Sequence, residues 1–285
     1  MGIFSGLKNL GLGELEDSDL FAEEEKAEQA AAAAAEAAQP AQPEEKDFIY
    51  DRSYTCPVCD NSFSSRVMKT GKAKLVSMDL DLRPRYVGID ATKYDVELCP
   101  HCKYAALTRY FTALTASQIH MIREQISNKV KLQPHSEDYY TYEEAIERYK
   151  IALVCAMVKK AKNSEKAYIC LKSAWLLRGY REELESRRQL LPQQREELTQ
   201  QEMEYLENAF KGFVEAQKSE RYPMCGMDEY TMDYLTAALA YEVGELDMSS
   251  QYVSRLLASM ANNRVKDKAR DLKEMIVAKK KELGN

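Results

Sequence analysis

Two four-residue units, Cys56-Pro57-Val58-Cys59 and Cys99-Pro100-His101-Cys102, constrain this chain more than anything else in it. Two cysteines three positions apart on a tight turn can aim both sulfurs at one ion. Two such turns brought together supply the tetrahedral thiolate set that zinc prefers, with bonds of about 2.3 Å. Proline in second place fixes φ and helps to shape each turn. Cys56, Cys59, Cys99 and Cys102 are therefore expected to bind one metal ion. Zinc is the expected metal, because the rest of the chain offers no electron-transfer features, but paired Cys-Pro-x-Cys turns also build rubredoxin-type sites and iron stays open. His101, between two ligands, is expected to point away from the ion. Four thiolates leave no coordination position for water and weaken the ion as a Lewis acid, so the site reads as structural. The surrounding segment, residues 48–111, is short enough to need a metal staple.

The chain has seven cysteines, an odd number, and four of them sit in the paired units. Reduced thiols in a cytoplasm fit this usage better than a disulfide framework. No apolar run approaches the roughly 20 residues that cross a bilayer. The N-terminus lacks the basic-then-apolar layout of a secretory signal. Met1-Gly2-Ile3-Phe4-Ser5-Gly6 has Gly where an acylation signal needs Ser or Thr. The expected location is cytoplasmic.

Charge divides the chain. Overall it has 40 Lys and Arg against 46 Asp and Glu, a formal net of -6. Residues 1–47 hold only Lys8, Lys26 and Lys46 against twelve acidic side chains, so the acidity belongs to this stretch. An Ala-rich run and Gln39-Pro40-Ala41-Gln42-Pro43 mark residues 1–47 as a flexible tail and linker. Phe4, Leu7 and Leu10 could form a short docking helix within it. Residues 48–114 read as a β-rich, zinc-ribbon-like domain, with β-type segments over residues 72–78 and 93–98.

From residue 115 to 285 the apolar spacing is helical throughout. Ile119, Ile122 and Ile126 fall on one face, as do Ile146, Tyr149 and Leu153. Leu206, Phe210 and Phe213 form another stripe, then Met232, Leu235 and Leu239. Tyr234-x-x-Ala237-Ala238-x-x-Tyr241-x-x-Gly244 resembles a tetratricopeptide (TPR) unit, in which small residues pack between paired helices. The expected fold class is α+β, mostly α: a zinc-ribbon-like domain followed by TPR-like hairpins.

Catalytic signatures are missing. There is no phosphate-binding loop, no GxGxxG and no GxSxG. His120 beside the Ile119/Ile122 stripe reads as a boundary residue. Cys155 and Cys170 read as core fillers, Cys225 as exposed in a turn, and Trp175 as a packing residue. A non-enzymatic protein is expected. Arg66, Lys69, Lys72, Lys74, Arg83 and Arg85 could give the ribbon a basic face for nucleic acid, but ten basic against seven acidic residues over 48–111 is thin support.

The stretch Tyr54–Phe111, with YTCPVCDNSF, MDLDLRPRYVGIDATKYDVELCPHCKYAAL and the helical hairpins after it, resembles a bacterial family catalogued as domain of unknown function 2225. The family occurs mainly in clostridia and other Firmicutes, and the opening MGIFSGLKNLGLGELED is similar to that of clostridial members. Members typically carry Gly after the second cysteine of each pair, where Asp60 and Lys103 stand here. The resemblance implies a zinc-ribbon-like domain followed by a TPR-like helical domain, and no established activity. The functional expectation is an adaptor whose helical surface binds a protein or peptide. A nucleic-acid-associated ribbon factor and a thiol/zinc redox sensor are the alternatives.

Overall fold

A computed structural model describes residues 43–132 and 138–284. The tail expectation, including the docking helix, falls almost wholly outside them. From Glu44 onward the chain packs as one compact unit.

β1 (Ile49–Thr55) and β2 (Ser62–Met68) pair antiparallel, Ile49 opposite Met68 and Thr55 opposite Ser62. β2 alternates cleanly. Phe63, Ser65 and Val67 are buried, and the residues between them turn outward. β3 (Leu75–Met78) pairs with β4 (Pro84–Tyr86), and β5 (Val96–Leu98) with β6 (Ala105–Leu107), both antiparallel. These are three separate ribbons, not one sheet. The expected strand over residues 93–98 is therefore shorter than its sequence pattern. Residues Ala91–Tyr94 form a 3-10 turn instead, because the Asp90 carboxylate accepts from the Thr92 N–H at 2.9 Å. The turn is held from outside as well, since Tyr94 Oη donates to Glu45 at 2.7 Å.

The remainder is helical, as expected. α1 (Ala116–Ile122) starts at a reciprocal Thr115/Gln118 cap and runs into a π-helical turn, Arg123–Ser127. α2 (Tyr142–Val158) is capped by Thr141, whose hydroxyl accepts from the Glu144 N–H at 3.2 Å. α3 (Asn163–Ser186), α4 (Pro192–Ser219), α5 (Glu229–Glu242), α6 (Leu246–Ala258) and α7 (Asn263–Glu282) follow. Proline at the first position suits α4, where no intrahelical N–H bond is lost. Three lysines close α7, where they meet the negative end of the helix dipole. No helix among the described residues is long and apolar enough to cross a membrane.

The β ribbons and the helices share a core. Phe63, Val96, Leu98, Tyr104 and Leu107 pack with Ile122, Tyr149, Ala152 and Leu176 in a single cluster. A second cluster joins α3, α4 and α5 through Trp175, Phe210, Phe213 and Leu235. A Cβ on Gly212 of α4 would lie 2.8 Å from Ala167 Cβ, so this helix pair approaches closely because both residues are small.

The loop between β3 and β4 is fastened to the helices by charge. Arg178 of α3 meets Asp79 at 3.3 Å, Asp81 at 3.0 Å, Glu202 at 2.7 Å and Glu242 at 3.8 Å. Trp175 Nε1 donates to Asp81 at 2.9 Å. Arg85 bridges Asp79 at 2.7 Å and Glu182 at 2.6 Å, and Arg83 reaches Asp90 at 2.9 Å. Pairing is what makes such burial tolerable, since an isolated charge there would be costly.

Gly179 of α3 lies under this clamp. A Cβ built there would sit 2.6 Å from Arg83 Nη2 and from the Tyr142 hydroxyl, and 2.8 Å from Asp90 Oδ2. Gly179→Ala is therefore expected to lower stability by about 1–3 kcal/mol, the usual cost of forcing atoms into a filled site. Urea unfolding of the two proteins would measure it, and a midpoint equal to or above wild type would contradict the clamp.

Candidate metal centre

Two turns of the same construction face one another. In the first, the Cys56 N–H donates to the Asn61 carbonyl at 3.0 Å and the Asp60 N–H donates to the Cys56 carbonyl at 2.9 Å. In the second, the Cys99 N–H donates to the Tyr104 carbonyl and the Lys103 N–H to the Cys99 carbonyl, both at 2.9 Å. The first turn joins β1 to β2 and the second joins β5 to β6. Each ribbon thus carries one cysteine pair at its tip.

The four sulfurs all lie within 4.8 Å of one another. Cys56 Sγ and Cys102 Sγ are 3.4 Å apart, and Cys59 Sγ and Cys99 Sγ are 3.7 Å apart. A tetrahedron with bonds of about 2.3 Å has edges of about 3.8 Å, so these separations suit four ligands around one ion. The donor set is all sulfur and could hold a metal ion. Cys56 and Cys99 are fully buried, while Cys59 is half-buried. Backbone and side-chain donors point at the sulfurs: the Val58 N–H reaches Cys56 Sγ and Asn61 Nδ2 reaches Cys59 Sγ, each at 3.4 Å. Donors of this kind stabilise thiolates. Arg123, in the π-helical turn after α1, donates from Nε to the Val58 carbonyl at 3.1 Å and ties the first turn to the helices.

Crowding splits the thiols electrostatically. Hydrogen bonds from Cys102 and Cys56 hold Cys99 far below the ordinary thiol range, while hydrogen bonding with Cys56 and Cys99 pushes Cys102 far above it. Thiolates this close repel one another, and a cation among them would relieve that repulsion.

His101 is exposed and lies outside the sulfur cluster. His120 is also exposed, 3.7 Å from Glu124. Cys155 and Cys170 are buried, and burial raises both thiols to about 11. Cys155 supports the second turn from below, accepting the Ala105 N–H at 3.4 Å. Cys225, expected to be exposed, is buried: it donates to the Ser164 carbonyl at 3.3 Å and accepts from the Tyr110 hydroxyl at 3.4 Å. The Pro-Met-Cys-Gly sequence describes a turn correctly but does not reveal the partners that cover it.

A family model for uncharacterized proteins conserved in bacteria (DUF2225) matches residues 49–276. The chain belongs to this family. The DUF2225 match begins at the first residue of β1 and takes in all four clustered cysteines and most of α7. No curated protein and no solved structure matches the chain.

Asp60 and Lys103, after the second cysteine of each pair, have φ of 60° and 64°. This left-handed region costs an L-residue about 1–2 kcal/mol and costs glycine little. In this DUF2225 protein, Lys103→Gly is expected to raise stability by about 0.5–1 kcal/mol after the entropy of the added glycine is deducted. Asp60→Gly should gain less, because Asp tolerates this region better. A denaturation midpoint lowered by Lys103→Gly, with the metal load held equal, would refute the strain.

Proposed function

We propose that the protein is a non-enzymatic adaptor, with structural zinc at Cys56, Cys59, Cys99 and Cys102 and a helical surface that receives a protein or peptide partner. The sulfur geometry carries the metal half of this reading. Four thiolates fill a tetrahedral ion completely, so the ion's work is to lock two ribbon tips together. Structural zinc contributes about 10–16 kcal/mol in small domains, comparable with the whole stability of a typical fold. The paired thiols suit a reducing, cytoplasmic compartment.

Support for the adaptor half comes from α5 to α7. Tyr234, Ala237 and Ala238 are buried against α6 and α7, in keeping with a TPR-like hairpin. Between α6 and α7 an apolar groove of about 700 Å³ opens along Leu257, Val277 and Ala278. Lys273 and Lys281 rim it beside Glu274, and Arg270 at its edge is paired with Asp267. An apolar floor with a cationic rim suits an amphipathic helix bearing acidic residues.

The ribbon reading for nucleic acid loses half of its six cations to internal contacts. Arg83 and Arg85 are committed to carboxylates, and Lys69 donates to the Asp47 carbonyl at 2.9 Å.

Elemental analysis of the purified chain is expected to find one zinc per molecule. Stoichiometric iron would overturn the zinc assignment. Cys99→Ser is expected to lose the metal together with the near-ultraviolet signature of the shared core. For the adaptor surface, affinity capture with the intact chain should recover a partner that is lost on Lys273→Glu and Val277→Glu. Both positions lie on the groove, and Val277 is 45% exposed, so folding should survive. Recovery indifferent to both substitutions would remove the groove from consideration.

A further inference from the structure

A second cavity, of about 360 Å³, lies where β1, β4, the 3-10 turn before β5 and α3 come together. Its volume falls within the range of small-ligand pockets, about 300–1,000 Å³. The walls are unusually aromatic. Tyr50, Arg52 and Tyr54 alternate along β1 and so share one face of the strand. Tyr86 of β4 and Trp175 of α3 contribute further rings, and Lys172 of α3 adds a second cation.

The two cations differ. Lys172 is committed: its ammonium is paired with the Asp95 carboxylate, 4.9 Å from the centre of the Tyr168 ring and 5.6 Å from that of Trp175. Arg52 has no carboxylate partner among the described residues. Its guanidinium sits 5.3 Å from the centre of the Tyr54 ring, on an exposed part of β1. A cation–π contact leaves the edge donors of a guanidinium free for an oxyanion. Tyr50, on the same face, is 45% exposed and offers an uncovered ring.

Aromatic walls with a guanidinium at their edge that no described carboxylate engages match a planar π-system that carries an anion. We infer that this cavity binds a nucleotide, the base among the tyrosines and Trp175 and the phosphate on Arg52. Stacking on aromatic side chains tolerates any base, so little base selectivity is expected. The site is separate from the proposed adaptor groove and does not depend on it. It does touch the metal centre's support, because Tyr54 precedes Cys56 by two residues on β1.

Trp175 is the chain's only tryptophan, so its emission reports on this cavity directly. Titrating the full, metal-loaded chain with AMP is expected to change that emission saturably, with matching heat by calorimetry. Arg52→Ala, an exposed change that should not disturb folding, is expected to weaken AMP about ten-fold, as fits one lost charged hydrogen bond, while adenosine binding is unaltered. A short oligoadenylate separates the two sources of the ligand. Binding as tight as AMP assigns the cavity to an unpaired nucleotide of a strand, and exclusion assigns it to the free nucleotide. Three results would overturn the inference: neither emission nor heat responding to AMP, AMP affinity indifferent to Arg52→Ala, or inorganic phosphate competing as well as AMP does.

Discussion

The approach of four sulfurs to within 4.8 Å is the constraint on which the β-rich part depends. Among the described residues β1–β2 and β5–β6 share no backbone ladder, and the sulfurs bring their tips together. The cluster is also part of the main core, with Cys56, Cys99 and Cys102 packed among Val58, Tyr104, Leu107 and the helical residues Tyr149 and Ala152. Anything that neutralises the thiolates therefore supports the seat of α2 as well as the ribbons. Cys155, rising from α2 to the Ala105 N–H, is the point at which the two meet.

A second set of contacts does for the β3–β4 loop what the sulfurs do for the tips. Its residues are too polar to be held by burial alone, and alternating carboxylates and guanidiniums hold them instead. This explains why the charge count over residues 48–111 is a poor guide to function. Arg83, nearly fully buried, faces Asp90 and Glu182 and not solvent.

Much of this was legible in advance, for identifiable reasons. The Cys-Pro-x-Cys pairs encode local turns, and local geometry survives folding whatever surrounds it. Helical stripes such as Leu206, Phe210 and Phe213 are equally local, and all three are buried on α4. Legibility failed where long-range partners decide. Residues 93 and 94 look like strand but are pulled into a turn by Asp90 and by Glu45, far back in the sequence. Cys225 looks exposed until Tyr110 and Ser164 are brought to it. Tyr50, Arg52 and Tyr54 have an alternation visible in the sequence, but only the arrival of α3 turns one strand face into a cavity wall.

The carboxylates around Arg178 outnumber the cations that can serve them. Glu242 bears the excess: burial first, and then the charge of Asp81, push it up to about 8, against an ordinary value of 4.5. The folded protein therefore holds a proton there that the unfolded chain has already released. Its contribution to stability is complete below the ordinary carboxylate value and drains away as the pH climbs towards 8. Folding of this chain is, in that narrow respect, a proton uptake.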